Sequence, residues 1–444
     1  MIEKYYDGAI EQVAAGLGTV EKNYLLVRYS GQFSVENLND TKQLEKNEDI
    51  FVQVHEFETG EITCAYEPYL TMICDGFRRY MTGTFEEFME TCDVYYLHRP
   101  VLLGYFNQDN TGREEIILLD EVAYEQERML AALERMLCAI ADRHPVLFVL
   151  NRFQLASKST MQLTARFLKC ENCNIGLVLG VSDIQAMPEF LVPDWEMLYE
   201  TLDDGSKIYH IGNSGRKKEE TIDDEKYVDY GSEKVYRKLQ NMVEFLDFDQ
   251  AAYYLETIER KIKFDNLLVD DAARFRMWLL FVKVSILRQD IPKALEICED
   301  LEKIHLAGKE EECAYEQDYL IATAYMYQGK LKEALEMAGE TYRIAGKMSD
   351  DYRMFLSELL EAKIQMSGWY NIFFCAQDVK IKESLIQNLI RYNYRNHLAH
   401  VYIYAYDNKP EKRTGYCGAD EEGNKSGCPC RPGCRNPGGV WRAG

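Results

Sequence analysis

Residues 144–150 (HPVLFVL), followed by residues 151–168 (NRFQLASKSTMQLTARFL), decide the fold class of this 444-residue chain. The segment VLFVL is a continuous apolar run, and residues 175–180 (IGLVLG) form a second one. Strands that are buried on both faces of a parallel sheet have this composition. Residues 121–143, just before them, carry apolar residues at the three- and four-residue spacing of a helix. We therefore expect a parallel sheet covered by helices, which is the α/β class.

Four further segments in the first half have the composition of short strands. They are residues 24–28 (YLLVR), 50–55 (IFVQVH), 101–105 (VLLGY) and 116–119 (IILL). Residues 216–230 (RKKEETIDDEKYVDY) are charged and poor in apolar residues, so we interpret them as a linker. The sequence thus predicts an α/β domain over residues 1–225.

Residues 232–407 have a helical pattern throughout. The segments 290–301 (DIPKALEICEDL) and 330–341 (KLKEALEMAGET) align when Ala294 is placed on Ala334, 40 positions later. Small residues and one tyrosine recur at offsets expected where two helices approach closely: Ala322, Tyr325, Gly329, Ala334 and Ala338. A period near 40 with paired helices predicts a stacked solenoid, similar to tetratricopeptide repeats, over residues 226–410.

The last segment, residues 411–444, differs from both regions in composition. It contains no Leu, Ile, Met or Phe, but 8 of the 28 glycines and 4 of the 13 cysteines. Such a segment buries too little apolar surface to offset its chain entropy, so we predict that it is unstructured. We interpret it first as sequence translated out of frame after Pro410, and second as a disordered tail. A metal site is the third interpretation, because its four cysteines match no common zinc spacing: Cys417, Cys428, Cys430 and Cys434.

A phosphate-binding loop would be expected after the first strand of such a domain. It needs glycine-rich backbone, a lysine that reaches the phosphates, and a Ser or Thr for magnesium. Residues 29–34 contain Ser30, Gly31 and Gln32 but no lysine, and the chain has no Gly-Lys-Ser or Gly-Lys-Thr. The sequence therefore predicts at most a degenerate loop at this position.

The stretch after residues 144–150 resembles the Walker B region of STAND-class signalling ATPases, an AAA-like family. In that family the apolar strand runs into two acids, whose positions are occupied here by Asn151 and Arg152. Ser159 matches a serine of the family pattern, residues 67–70 (EPYL) resemble its P-Y-x-x-L segment, and residues 176–181 resemble its fourth core strand. Helical repeats near 40 residues also follow this module in bacterial STAND-type regulators.

The resemblance implies a P-loop-NTPase-like fold. The residues that differ from the family pattern, however, are those that ATP hydrolysis needs. Asn151 cannot hold a magnesium-bound water as a carboxylate does, and Arg152 places positive charge where a base is needed. With the loop lysine also missing near Gly31, three parts of a hydrolytic site are absent. We predict a pseudo-ATPase with no catalytic residue, no cofactor and no metal.

Net charge narrows the choice of partners. The chain has 74 acidic against 51 basic residues, a formal charge of −23, which disfavours direct binding to nucleic acid. No run of 18 apolar residues could span a membrane, and the first residues (MIEKYYDGAIEQ) lack the apolar core of a secretory signal. We expect a cytoplasmic protein.

The function that we predict is a bacterial regulatory or signalling protein without catalysis. It would be a sensor and scaffold that binds a protein or peptide through the helical repeats, and whose output domain, a helix-turn-helix or a diguanylate cyclase, is missing. A repeat array that ends without a polar cap should also self-associate. Two alternatives stay open: a nucleotide-binding switch ATPase with an atypical phosphate loop, and a ligand- or peptide-binding solenoid beside a purely structural α/β half.

Overall fold

The structure, a computed structural model, describes residues 2–19, 23–29, 49–58, 61–109, 121–170, 174–182, 187–202, 208–211, 229–265, 267–304, 306–367 and 382–407. The α/β region contains α1 (Ile2–Gly16), β1 (Tyr24–Tyr29), β2 (Phe51–Glu56), α2 (Tyr69–Tyr80), α3 (Phe85–Thr91), α4 (Arg99–Asn107), α5 (Val122–Ala141), β3 (Val146–Asn151), α6 (Lys158–Lys169), β4 (Ile175–Ser182), α7 (Val192–Leu202) and β5 (Ile208–Ile211). The helical region contains α8 (Glu233–Glu244), α9 (Phe248–Phe264), α10 (Asp271–Leu287), α11 (Ile291–Leu301), α12 (Glu310–Gln328), α13 (Leu331–Met348), α14 (Asp351–Met366), α15 (Glu383–Arg391) and α16 (Arg395–Asp407).

The strands form one parallel sheet in the order β2-β3-β4-β1-β5. β3 and β4 are buried along their whole length, as continuous apolar strands require. The strands predicted for residues 24–28, 50–55, 146–150 and 175–180 are confirmed. Because all the strands are parallel, their carboxyl ends lie along a single edge of the sheet.

The strand predicted for residues 101–105 is wrong, because these residues belong to helix α4. Pro100 lies in the first turn, where its missing N–H is harmless, and Val101 and Leu102 are buried. A short apolar run does not distinguish a strand from a buried helix, and here the helix is found. Strand β5 was not predicted. Residues 116–119, most of the linker 216–230 and the tail 411–444 lie outside the described residues.

Helices cover both faces of the sheet. On one face, Ile10 and Val13 of α1 pack against Leu25, Val27 and their neighbours in β3 and β4. On the other face, the sheet packs against α2, α5 and α6 in a core that includes Phe148 and Met136. The result is a layer of strands between two layers of helices, which confirms the predicted α/β class for this region.

The helical region is joined to the α/β region by direct packing. Consecutive helices contact each other, and α8, α10, α12 and α14 also contact one another in turn. The Phe245 ring lies 6.3 Å from the Tyr66 ring and 5.8 Å from the Tyr105 ring. At the far end, the Tyr95 hydroxyl donates to Asn396 Oδ1 of α16 at 2.8 Å. Both ends of the helical region therefore contact the α/β region.

Candidate functional site

The first candidate site is the carboxyl edge of the sheet, where β1 and β3 end on either side of β4. Tyr29 is the last residue of β1, and Asn151 is the last residue of β3; both side chains are buried. The Tyr29 hydroxyl donates a 2.7 Å hydrogen bond to Asn151 Oδ1. The side chain at the first predicted Walker B position is therefore bonded to the strand that precedes the predicted phosphate loop.

Arg152, which follows Asn151 at the second predicted Walker B position, is paired with an acid at the end of β2. It adopts a positive φ of 53°, and its Nε lies 3.3 Å from Oε1 of Glu56 at the end of β2. Burial raises the pKa of Tyr29 to about 12, although the nearby Arg152 charge and the Asn151 bond oppose this shift. Tyr29 therefore stays protonated at neutral pH and remains a hydrogen-bond donor to Asn151.

Gln154 lies in the short 3-10 turn that follows Asn151 and Arg152, and it binds the backbone at the end of β4. Its Nε2 donates to the Ser182 carbonyl at 3.2 Å, and the Ser182 N–H donates to its Oε1 at 3.3 Å. A buried backbone group needs such a partner, and this side-chain amide supplies two bonds at once. Gln154 thus has a structural task at the sheet edge.

Ser159, which was predicted to match a serine of the family pattern, lies at the junction of the two regions. Its Oγ accepts the Tyr66 N–H at 3.0 Å, and its own N–H donates to Asp247 Oδ2 at 3.0 Å. Asp247 also accepts the Gln250 N–H at 3.4 Å, so one buried carboxylate serves the first turns of both α6 and α9. Burial raises the pKa of Asp247, and these hydrogen bonds oppose the rise. Ser159 and Asp247 therefore link the α/β region to the helical region through hydrogen bonds.

Ser30, Gly31 and Gln32, the predicted loop residues, lie outside the described residues. Asn151 and Arg152 do lie together at the carboxyl edge of a parallel sheet, which is where open α/β sheets bind their ligands. Both side chains are, however, engaged with other side chains of the protein. Among the described residues, no group of three or more His, Cys, Asp or Glu side chains is arranged to hold a metal ion.

The second candidate site is a cavity of about 620 Å³ in the helical region. Its lining comes from α8, α9, α10, α12, α14 and the residue before α16: Val243, Glu244, Phe248, Lys283, Ile286, Leu287, Tyr315, Glu316, Tyr319, Leu320, Thr323, Met326, Tyr327, Asp350, Tyr352, Arg353, Leu356, Leu360, Lys363 and Tyr394. The hydroxyls of Tyr352 and Tyr394 are hydrogen-bonded at 2.8 Å. Five tyrosines and a set of aliphatic side chains therefore surround a space of ligand size.

The residues predicted to pack between the repeats lie outside this cavity. Ala322, Ala334 and Ala338 are buried in one cluster between α12, α13 and α14, and Tyr325 packs against them. Gly329 ends α12 with a φ of +81°, a conformation that favours glycine. Ala294 is buried in the main core. These residues pack between helices and do not line the cavity.

The comparisons with known proteins give no family assignment. No family model matches the chain, and neither does any curated protein or solved structure. In the part of the chain that the structure describes, no helix combines the length and apolar character needed to cross a membrane.

The sequence singled out Asn151 and Arg152 but neither Tyr29 nor the cavity. Tyr29 closes the predicted strand 24–28 and is 122 positions from Asn151, so only the strand order reveals the contact. A tyrosine at a strand end, just before a suspected phosphate loop, was the signal available in the sequence.

Proposed function

We propose that this chain is a non-catalytic regulatory protein, in which a degenerate STAND-class α/β domain is joined to a helical sensor and interaction scaffold. The observation that carries the proposal is the hydrogen bond between Tyr29 and Asn151 at the carboxyl edge of the sheet. The resemblance expects a magnesium-associated acid at the position that Asn151 occupies. In its place an amide is bonded to a neutral tyrosine.

Nucleotide hydrolysis at this edge would need two rearrangements. Asn151 would have to give up its hydrogen bond with the buried Tyr29 hydroxyl, and the loss of a buried hydrogen-bond partner costs about 1–3 kcal/mol. Arg152 would have to leave Glu56, and the carboxylate released would lie on β2 rather than β3. Neither change supplies the carboxylate and loop lysine that phosphoryl transfer uses.

The test is ATP turnover and Mg-ATP binding by the purified full-length chain. We expect no hydrolysis above the buffer rate. The matched variants are Asn151→Leu, which removes the side chain at issue, and Lys303→Met, a surface change in the helical region. Magnesium-dependent turnover that Asn151→Leu abolishes and Lys303→Met preserves would overturn the proposal and favour a working nucleotide switch.

A second candidate function, the ligand- or peptide-binding solenoid, is favoured by the cavity in the helical region. Its volume of about 620 Å³ falls within the range of about 300–1,000 Å³ typical of ligand pockets. This candidate is compatible with the first, because a sensor needs such a site. We further propose that the helical region binds a protein partner and self-associates, which light scattering at increasing protein concentration would detect as a rising mass.

A further inference from the structure

The charged residues around the cavity divide into paired and unpaired groups. Arg353 contacts Glu316 at 2.8 Å, Asp350 at 3.3 Å and Glu312 at 3.4 Å, so each of these carboxylates has a cationic partner. Glu244 and Lys363 each have a contact of their own. Lys283 on α10 differs from them, because its ammonium group forms no ion pair within the described part of the chain. Among the described residues, Lys283 is thus the one cation of the lining without a protein partner.

Tyr319 on α12 offers a second unused polar group. Its ring lies 6.0 Å from the Tyr315 ring in a stacked arrangement, and its hydroxyl has no hydrogen-bond partner among the described residues. Thr323, one turn further along, already donates its hydroxyl to the Tyr319 carbonyl at 2.8 Å. Burial raises the pKa of Tyr319, so this phenol stays protonated and can donate a hydrogen bond.

The rest of the wall is largely apolar. Ile286 and Leu287 follow Lys283 on α10, and Leu320, Leu356 and Leu360 line the cavity from α12 and α14. A ligand that matches these groups needs an apolar body and one anionic end. A polyanion fits poorly, because one unpaired ammonium group cannot balance several negative charges.

We propose that the cavity of the helical region binds a monocarboxylate with an aliphatic or aromatic body, with Lys283 and Tyr319 as the groups that hold its carboxylate. This inference rests on the sensor role proposed above and names the chemical class of the molecule sensed. Charge-assisted hydrogen bonds from an ammonium group and a phenol to a carboxylate are stronger than those to a neutral hydroxyl. The cavity should therefore distinguish an acid from the alcohol of the same length.

The experiment is calorimetric titration of the full-length protein with two matched pairs of probes: octanoate against octanol, and phenylbutyrate against phenylbutanol. We expect at least one acid to bind, and to bind about tenfold more tightly than its alcohol. Lys283→Met should reduce this preference to about twofold or less. Lys303→Met is the matched control, since Lys303 is an exposed lysine paired with Asp300 outside the cavity, and it should leave the preference unchanged.

A third variant locates the binding site. Thr323→Trp places a large ring in the cavity and should abolish binding while circular dichroism reports an unchanged helical content. The proposal is overturned if neither acid binds to the folded protein, if Lys283→Met retains the full preference, or if Thr323→Trp binds as tightly as the wild type. Such a failure leaves the non-catalytic role intact, because the ATP assay tests that role on a different part of the molecule.

Discussion

The polar side chains at the carboxyl edge of the sheet have partners within the protein, whereas two polar side chains of the cavity in the helical region have none among the described residues. At the edge, Tyr29 is bonded to Asn151, and Arg152 is paired with Glu56. In the cavity, Lys283 forms no ion pair, and the Tyr319 hydroxyl has no hydrogen-bond partner among the described residues. The edge occupies the position at which α/β sheets usually bind ligands, yet its side chains bind one another.

This difference indicates where a ligand would be bound. A site whose polar groups are already satisfied gains little from a ligand, because each new bond replaces an existing one. In the cavity, Lys283 is exposed and Tyr319 is partly exposed, so a ligand would replace water at these groups and could bury apolar surface as well. We infer that the α/β region serves as a structural base and that recognition takes place in the helices.

The largest loss of stability is expected on substitution of Asp247, which forms hydrogen bonds with both regions. Asp247→Ala removes the cap of α9 and leaves the Ser159 N–H without its acceptor. Loss of the cap and of a buried acceptor should together lower the free energy of unfolding by about 3 kcal/mol. Chemical denaturation measures this loss. Asp249→Ala, a part-exposed ion-pair partner two positions later, is the control and should cost about 1 kcal/mol or less. Equal losses would show that Asp247 contributes no more to this junction than the ion pair of Asp249 with Lys158 does.

A smaller loss of stability is expected from overpacking the contact between α12 and α13. Ala334 is fully buried between α12 and α13, so Ala334→Leu should overpack this contact and cost about 1–3 kcal/mol. Leu335, which is partly buried one position later, provides a matched site: Leu335→Met should cost less than about 1 kcal/mol. An unchanged denaturation midpoint for Ala334→Leu would contradict the close helix contact at this residue.

The hydrogen bond between Tyr29 and Asn151 at the sheet edge should contribute about 1.5 kcal/mol to the free energy of unfolding. Asn151→Leu keeps the volume but leaves the buried Tyr29 hydroxyl without this acceptor, which should lower the free energy of unfolding by about that amount. Adding Tyr29→Phe removes the hydroxyl that has lost this acceptor, so the double variant should be more stable than the sum of the two single losses predicts. Strict additivity in the cycle would show that the two side chains do not act as a pair.

The smallest effect is a pH dependence in the helical region. Burial raises the pKa of Asp318 on α12 from 3.8 to about 6, with help from Glu340 and Glu302. The folded state binds the proton more tightly, so the stabilisation is complete below pH 3.8 and is lost as the pH rises through 6. After allowance for partial exposure, the loss is about 1 kcal/mol. Asp318→Asn should therefore be more stable than the wild type at pH 7 but not at pH 4. An identical difference at both pH values would contradict this assignment.

The sequence was sufficient to predict most of the sheet. Residues 146–150 and 175–180 are long apolar runs, and such runs are typical of central parallel strands. The strand prediction for residues 101–105 failed because VLLGY is compatible with either a strand or a buried helix. In the structure these residues continue the helix that begins at Arg99. β5 was missed because residues 208–211 form a strand of only four residues at the edge of the sheet.

The candidate sites were less predictable than the sheet. Asn151 and Arg152 could be found because they directly follow a recognisable strand. The partners Tyr29 and Glu56 depend on the order of the strands, which a single sequence does not reveal. The cavity depends on Lys283, Tyr319 and Tyr394 approaching from separate helices, and each of these residues looks ordinary within its own segment.

The most direct test of the contrast between edge and cavity is the melting temperature of one preparation of the full-length chain with Mg-ATP and, separately, with octanoate. A ligand at a hundred times its dissociation constant stabilises the folded state by about 2.7 kcal/mol. We predict that octanoate raises the melting temperature, that Thr323→Trp removes this rise, and that Mg-ATP has no effect. A rise with Mg-ATP that Asn151→Leu eliminates, together with no response to octanoate, would contradict the account.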